Sequence, residues 1–165
     1  MTLGRTIDVQ LCSALLIVGA ALGGCDAQNA ESKMAVTGSS YQFMTEYLEP
    51  AADKVWGSAG AIITEEEEID LQPTTDEGWA EVVHAATVIA EGGNLLMLPG
   101  YAADNEDWMV YAAGMTRAAL KARQAAYDQD ADALFDAGGA IYNVCRACHN
   151  KYMAASEATP SGDME

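Results

Sequence analysis

The motif Cys145-Arg146-Ala147-Cys148-His149 lies near the C-terminal end of the chain, in a stretch with helical periodicity. Cys-x-x-Cys-His is the attachment signature of c-type haem, in which two thiols form thioether bonds to one porphyrin. Residues three apart share one face of a helix, so both sulfurs can reach the same porphyrin edge. The adjoining imidazole is then placed to be the proximal ligand of the iron. The motif predicts one haem c per chain, attached at Cys145 and Cys148, with His149 on the iron.

The same cysteine pair has two other interpretations. A zinc site would need two more ligands, and the chain has few left to offer. A redox dithiol favours a helix N-terminus, where the thiol pKa is lowered, whereas this pair follows a long helical stretch. A haem-free dithiol protein and a metal-binding protein therefore remain as alternatives to the haem protein.

Composition indicates a helical domain with an acidic surface. The chain has 165 residues, a formal net charge of -17 and 50% hydrophobic residues, which suits one domain with a core plus appendages. Abundant alanine favours helices. The negative charge argues against nucleic-acid binding, and any electrostatically steered redox partner should present a basic face. Because no catalytic triad, phosphate loop or carboxylate pair stands out, we expect no enzyme.

Residues 1–24 are predicted to be an export signal. Their apolar run, residues 11–24, is too short to span a bilayer but suits a signal core. The run ends in Leu-Gly-Gly-Cys at Cys25, which resembles a bacterial lipobox, where the cysteine becomes lipidated after cleavage. We expect a protein of the bacterial periplasm, attached to a membrane only through a lipid at Cys25. Ordinary signal cleavage nearby is the alternative.

The remaining chain divides into a tether, a domain and a tail. Residues 25–39 are polar and rich in small side chains, which is typical of a tether. Residues 40–155 contain the helical patterns and form the predicted domain. Residues 156–165 are a polar tail of the kind that is often disordered.

Four segments of the domain have apolar side chains at helical spacing. The first, residues 40–56, contains Pro50, which either kinks one helix or separates two short ones. The second, residues 74–98, opens with Thr74 and Glu77 in the spacing of a capping box, and Gly92-Gly93 weakens its middle. Asp104 or Asn105 can cap the third, and Asp130 opens the fourth after a very short turn. In the fourth, the small residues 138–140 would admit a close helix or a haem edge.

Residues 57–73 form the long connection between the first two segments. Four aliphatic side chains in it are expected to pack against the helices in an extended conformation: Ile62, Ile63, Ile69 and Leu71. The run Glu65–Glu68 could be a metal or partner site or a solvated loop. Like charges repel, and the run lacks ligand spacing, so the solvated loop is favoured.

Four helices with short joints predict an all-α fold, an antiparallel up-down-up-down four-helix bundle with haem bound near the C-terminal helix. The single haem motif in the last helix, followed by Asn150-Lys151-Tyr152, resembles the cytochrome c prime family. The sequence Pro-Ala-Ala-Asp-Lys-Val-Trp, residues 50–56, is a further matching feature. The resemblance covers about residues 40–153. It implies thioethers at the two motif cysteines, proximal ligation by the motif histidine and, in many members, a homodimer through the first two helices.

The resemblance also places the distal haem group in the first helix. Members with methionine there are six-coordinate electron carriers, whereas members with an aliphatic or aromatic residue leave the iron open and bind nitric oxide or carbon monoxide. Met44 is the candidate distal ligand, since a thioether is a soft ligand and raises the haem potential; alternatively it only packs. If it does not ligate, the shield would be one of Tyr41, Phe43, Tyr47 and Leu48. A second axial histidine could only be His84, but a lone histidine on a helix of this kind is more often a surface or hydrogen-bonded residue.

These residues predict an exported monohaem cytochrome that transfers single electrons. The first alternative is a gas-binding cytochrome with five-coordinate iron. The second is a haem-free dithiol or metal-binding lipoprotein.

Overall fold

A computed structural model describes residues 35–157 of the chain, with side chains through Met153. Cys25, the predicted signal, most of the tether and most of the tail lie outside these residues. Among the helices of residues 35–157, none has the length and apolar character needed to cross a membrane.

The described part is mostly helical, as predicted. It begins with α1 (Ser40–Phe43), a π-helical segment (Met44–Leu48) and α2 (Glu49–Trp56), which follow one another without a break. We refer to residues 40–56 as the first rod. Three long helices follow: α3 (Asp76–Leu96), α4 (Asp107–Tyr127) and α5 (Ala131–Glu157). The described residues thus form four helical rods.

Pro50 does not break the first rod. It lies in the first turn of α2 and has no amide hydrogen to donate. The backbone directly before it widens into the π-helical segment. Of the two sequence alternatives, the break is therefore wrong: residues 40–56 stay helical throughout, and the helix type changes at Met44 and again at Glu49.

The first rod, α3 and α5 contribute large aliphatic side chains to the core, whereas α4 contributes mainly alanines. The largest fully buried side chains are Ile89, Leu134, Ile141, Val55 and Val82. Burying one such side chain contributes roughly 1.5–3 kcal/mol. Helix α4 contributes mainly small residues, including Ala119 and Ala122 at 0% exposure, and it packs on both α3 and α5. Helix α2 packs on α3 and, less extensively, on α5.

The glycine pair in α3 has a packing role that its helix-weakening character did not indicate. A Cβ atom on Gly93 would lie 2.1 Å from the Oγ1 of Thr116 on α4. One on Gly92 would lie 2.4 Å from Cδ2 of Leu48 on the first rod. Gly93 needs glycine because the backbone of α4 approaches it directly, with the carbonyl of Ala112 at 2.7 Å, whereas the clash at Gly92 is with the flexible end of a side chain.

The helix starts are set by side-chain caps, one of them shifted from its predicted place. Thr75, not Thr74, caps α3, and its hydroxyl accepts from the amide of Gly78 at 3.1 Å. Adjacent threonines are chemically equivalent caps, and the extended backbone at Thr75 decides between them. Asp130 accepts from the amide of Ala133 at 2.9 Å at the predicted start of α5.

The connection between α2 and α3 contains a β-hairpin, which the all-α prediction missed. Strand β1 (Ala61–Ile63) pairs antiparallel with β2 (Glu68–Asp70), with Ile62 opposite Ile69. The extended conformation was expected, but the expected packing of the isoleucines is wrong. Ile62, Ile63 and Ile69 are 50%, 76% and 42% exposed. The backbone pairs with itself in the hairpin, so its side chains need not be buried against the helices.

Candidate cofactor-attachment site

Helix α5 turns both motif cysteines towards the apolar core. Cys145 and Cys148 are free thiols, one turn apart, and each is half-buried against the core cluster. The next residue, His149, is exposed, and its imidazole makes no hydrogen bond to the described part of the chain. The donor set therefore fits a c-type haem: two thiols on one helix face and an imidazole whose nitrogens are both available.

The end of α5 is held against the start of α4 by a hydrogen bond and aromatic contacts. The hydroxyl of Tyr152 donates to Oδ2 of Asp104 at 2.5 Å. The ring of Tyr152 meets the ring of Trp108 edge-on, with a centroid separation of 5.0 Å. Lys151 forms an ion pair with Asp107 on the same two elements. These contacts fix the turn of α5 that follows the motif.

Asp104 combines two roles, of which only the first was predicted. Its Oδ1 accepts from the amides of Glu106 and Trp108 at 2.9 and 3.1 Å, which caps the start of α4. The same carboxylate accepts a hydrogen bond from the hydroxyl of Tyr152, and its negative charge raises the pKa of the Cys148 thiol. The residue type of Asp104 indicated that it could cap the helix. Its bond to Tyr152 joins residues 48 positions apart, so no local sequence pattern predicts it.

Both thiols are kept in their protonated form. Burial raises the pKa of Cys145. Burial, followed by the charges of Cys145 and Asp104, raises the pKa of Cys148 to about 11. A redox-active dithiol needs a thiolate, and its pKa is lowered by positive neighbours or a helix N-terminus. The environment of this pair has the opposite effect, which disfavours the dithiol alternative.

Met44 lies at the same end of the helical assembly as the motif. It opens the π-helical segment and is half-buried against the core. The preceding residue, Phe43, packs against Tyr101 with ring centroids 5.1 Å apart. Tyr101 and Asp104 both belong to the connection between α3 and α4, so this connection contacts the start of the first rod and the end of α5.

The other candidates for the distal position differ in exposure. Tyr41 and Tyr47 are 75% and 53% exposed, so neither is placed to shield an interior group. Phe43 and Leu48 are buried, but Leu48 packs against Gly92 of α3. Among these side chains, Met44 is the one that combines partial burial with a ligating atom.

His84 is exposed on α3 and lines an open groove between that helix and the first rod. The groove has a volume of about 740 Å³ and also contains Tyr47, Pro50 and Lys54. Cys145 and Cys148 are not among its lining residues. The structure therefore gives His84 a surface position, as the sequence pattern indicated, and separates it from the motif.

Residues 35–157 contain no cluster of three or more histidine, cysteine, aspartate or glutamate side chains that could hold a metal ion by themselves. The zinc alternative thus lacks a full ligand set in this part of the chain. Comparison with protein-family models, with curated proteins and with solved structures found no match.

Proposed function

We propose that the chain is an exported monohaem c-type cytochrome that transfers single electrons. The observation that carries this proposal is the placement of Cys145 and Cys148. Both thiols lie on one face of α5, half-buried and protonated, directly beside the unengaged imidazole of His149. This arrangement suits covalent attachment of one haem c and does not suit thiolate chemistry.

The bundle topology is part of the proposal. Two contacts support an antiparallel course for the long helices. Trp108, at the start of α4, donates its indole N–H to the carbonyl of Leu96, at the end of α3, at 2.7 Å. The contact of Asp104 with Tyr152 likewise joins the start of α4 to the end of α5. An up-down-up-down bundle of four rods, resembling the cytochrome c prime family, accommodates both.

Each ligating residue has a distinct task in this proposal. When bound, haem supplies an iron centre that alternates between the ferric and ferrous states. Cys145 and Cys148 would hold the group permanently, and His149 would bind the iron from the motif side. Met44 is the residue we propose for the opposite side, where its thioether would keep the ligand set fixed in both oxidation states.

The surroundings of the thiols are partly apolar and hold a negative charge nearby. The apolar core lies on the inner side of Cys145 and Cys148. Hydrogen bonds from Tyr152 and from two backbone amides lower the pKa of Asp104, so this carboxylate is ionised at neutral pH. A fixed negative charge close to a redox group favours its oxidised, more positive form.

Export and lipidation at Cys25 remain proposals that rest on the sequence of the first 25 residues. Radiolabelled palmitate incorporated into the wild-type chain, but not into a Cys25→Ala variant, would support the lipid anchor. The redox partner that we propose has a basic face, because the chain carries a net charge of -17.

The function is tested by expressing the chain in a host with cytochrome c maturation machinery. We expect a haem stain that survives a denaturing gel, and its loss in a Cys145→Ala/Cys148→Ala variant. His149→Ala should change the ligation of the iron, whereas His84→Gln, on the outer groove, should not. Colourless wild-type protein from this host would contradict the proposal.

Absorption spectra decide between electron transfer and gas binding. Six-coordinate ferrous iron that resists carbon monoxide at neutral pH is the result expected for an electron carrier with Met44 as ligand. Rapid carbon monoxide binding by the wild-type protein would instead assign the gas-binding function and leave Met44 as a packing residue.

A further inference from the structure

The β-hairpin between α2 and α3 exposes apolar side chains that have no packing role. All six residues of β1 and β2 are exposed, and three of them are isoleucines. Successive side chains of a strand point to opposite faces, so the paired Ile62 and Ile69, 50% and 42% exposed, share one face and Ile63 lies on the other. Single exposed apolar residues are ordinary on protein surfaces, whereas adjacent ones mark an interaction site. Phe135 of α5, 61% exposed, lies beside Gly60 at the base of the hairpin.

The hairpin is a preorganised element. Gly60 enters it with φ +82°, a left-handed conformation that suits glycine. At the tip, the hydroxyl of Thr64 accepts from the amides of Glu66 and Glu67 at 3.3 and 3.0 Å. The amide of Leu71 closes the base by donating to the carbonyl of Gly60 at 2.9 Å. A surface that is ordered before binding loses less conformational entropy when a partner docks.

Negative charge surrounds the isoleucines. The tip and second strand carry Glu65–Glu68 and Asp70, and residues 57–73 contain no lysine, arginine or histidine. The ion pairs among the described residues join Lys54 to Glu81 and Lys151 to Asp107, so neither involves the hairpin. These glutamates therefore face solvent with no cation of the described chain beside them.

We propose that the hairpin surface, formed by Ile62, Ile69 and Glu65–Glu68, is a docking site for a basic protein partner. Lysine or arginine side chains of the partner would pair with the glutamates, and its apolar side chains would cover the isoleucines. A second copy of this chain is disfavoured, because its net charge of -17 would be repelled. Nucleic acids and anionic lipid surfaces are repelled for the same reason.

The hairpin surface is separate from the proposed haem site. Phe135 and Cys148 both belong to α5, and at ~1.5 Å per residue they are about 20 Å apart along its axis. A partner on the hairpin would leave the motif end of the molecule free. The proposal therefore does not depend on whether haem is bound, and its failure would leave the proposed function untouched.

The test uses the purified chain and a short peptide that carries lysine and valine side chains as the basic, apolar probe. Nuclear magnetic resonance titration should shift the amide signals of residues 60–71 more than those of the rest of the chain. Peptides with glutamate in place of lysine, or serine in place of valine, should bind at least tenfold more weakly.

Matched variants locate the interaction. Ile62→Ser, at the 50% exposed partner of Ile69, should weaken peptide binding several-fold, whereas Val110→Ser, on α4 and 62% exposed, should leave it unchanged. Glu66→Gln/Glu67→Gln should weaken binding and reduce its salt dependence more than Glu46→Gln/Glu49→Gln, which removes the same charge from the first rod.

Three outcomes would overturn the proposal. The first is equal weakening by the hairpin variants and their controls, which would mean non-specific attraction. The second is a shift of the hairpin signals with protein concentration in the absence of peptide, which would mean self-association. The third is competition by calcium chloride for the hairpin at constant ionic strength, which would assign the surface to an ion.

Discussion

Tyr152 and Asp104 join the helix that carries the haem motif to the connection that precedes α4, through a hydrogen bond of 2.5 Å. The hydroxyl of Tyr152 donates, and the carboxylate of Asp104 accepts while it also accepts from two backbone amides. Burial, and then the bond to Asp104, raises the pKa of Tyr152. The tyrosine therefore stays protonated and remains a donor at neutral pH.

We expect Tyr152→Phe to lower the melting temperature of the protein by a few degrees, because Asp104 loses its partner on α5. Tyr142→Phe is the control, since this tyrosine is 53% exposed and makes only ring contacts within the described residues. Thermal unfolding followed by circular dichroism measures both. Equal melting temperatures for the two variants would mean that the hydrogen bond does not stabilise the fold.

The Asp104 contacts also predict a pH dependence of stability. Folding lowers the pKa of Asp104, first through the bond from Tyr152 and then through the backbone amides. A carboxyl of this kind stabilises the fold above its unfolded pKa of about 3.9, and the contribution is lost as the pH falls through the folded pKa. The difference in melting temperature between wild type and Asp104→Asn should therefore be full at neutral pH and shrink below about pH 4.

Gly93→Ala should destabilise the protein by roughly 1–3 kcal/mol through overpacking. The added Cβ would lie 2.1 Å from Oγ1 of Thr116 and 2.7 Å from the carbonyl of Ala112. Gly139→Ala is the matched control, because no atom lies within 4 Å of its added Cβ. Alanine at this exposed helical position should stabilise by about 0.5–1 kcal/mol. Denaturant unfolding measures the free energy of unfolding of both variants. A change of the same sign in the two would refute the packing argument.

Trp108→Phe should cost roughly 1–3 kcal/mol, because it leaves the buried carbonyl of Leu96 without its donor. The indole N–H of Trp108 donates to this oxygen at 2.7 Å in a buried setting. Trp56→Phe is the comparison, since its indole bond to Gly138 at 3.0 Å is only partly buried. If Trp56→Phe lowered the free energy of unfolding as much as Trp108→Phe, burial of the hydrogen bond would not determine how much its loss destabilises the fold.

Cys148 should react slowly with iodoacetamide when the chain is produced without haem maturation. The reactive form is the thiolate, and burial is the main reason that its pKa is raised to about 11. The alkylation rate should therefore keep rising between about pH 9 and pH 12, above the range of a free cysteine. Urea-denatured protein provides the reference. Native reactivity equal to this reference at pH 8 would contradict the protonated state.

Met44→Ala should convert a six-coordinate ferrous spectrum of the matured protein into one that responds to carbon monoxide. Met97→Ala is the control, because Met97 is also half-buried against the core but follows α3 rather than opening the first rod. An unchanged spectrum in Met44→Ala would remove this residue from the proposed ligand set.

Much of the helical architecture could be predicted from the sequence because it depends on local chemistry. The apolar spacing indicated four helical segments, and the structure places helices in all four. The very short turn before Asp130 and the apolar pattern after it predict the start of α5 there, and Asp130 accepts from the amide of Ala133. The choice between Thr74 and Thr75 could not be made, because it depends on one extended backbone conformation rather than on the side chain.

The candidate site likewise has some features that the sequence determines and others that depend on how the helices pack. Two cysteines and a histidine at fixed spacing define the attachment chemistry by themselves, since a helix places residues three apart on one face. The sequence alone also determined the net charge of -17 and the acidic run Glu65–Glu68. These properties need no knowledge of which helix contacts which.

Only the tertiary structure decided how these parts are arranged. The burial of Cys145 and Cys148, the contact of Asp104 with Tyr152 and the role of Gly93 all involve residues brought together by the packing of separate helices. The exposure of Ile62, Ile63 and Ile69 is of the same kind, because aliphatic residues are buried only where a neighbouring element covers them. Periodicity gives the direction of a side chain within its own element, whereas its pKa, its partners and its exposure depend on the elements packed against it.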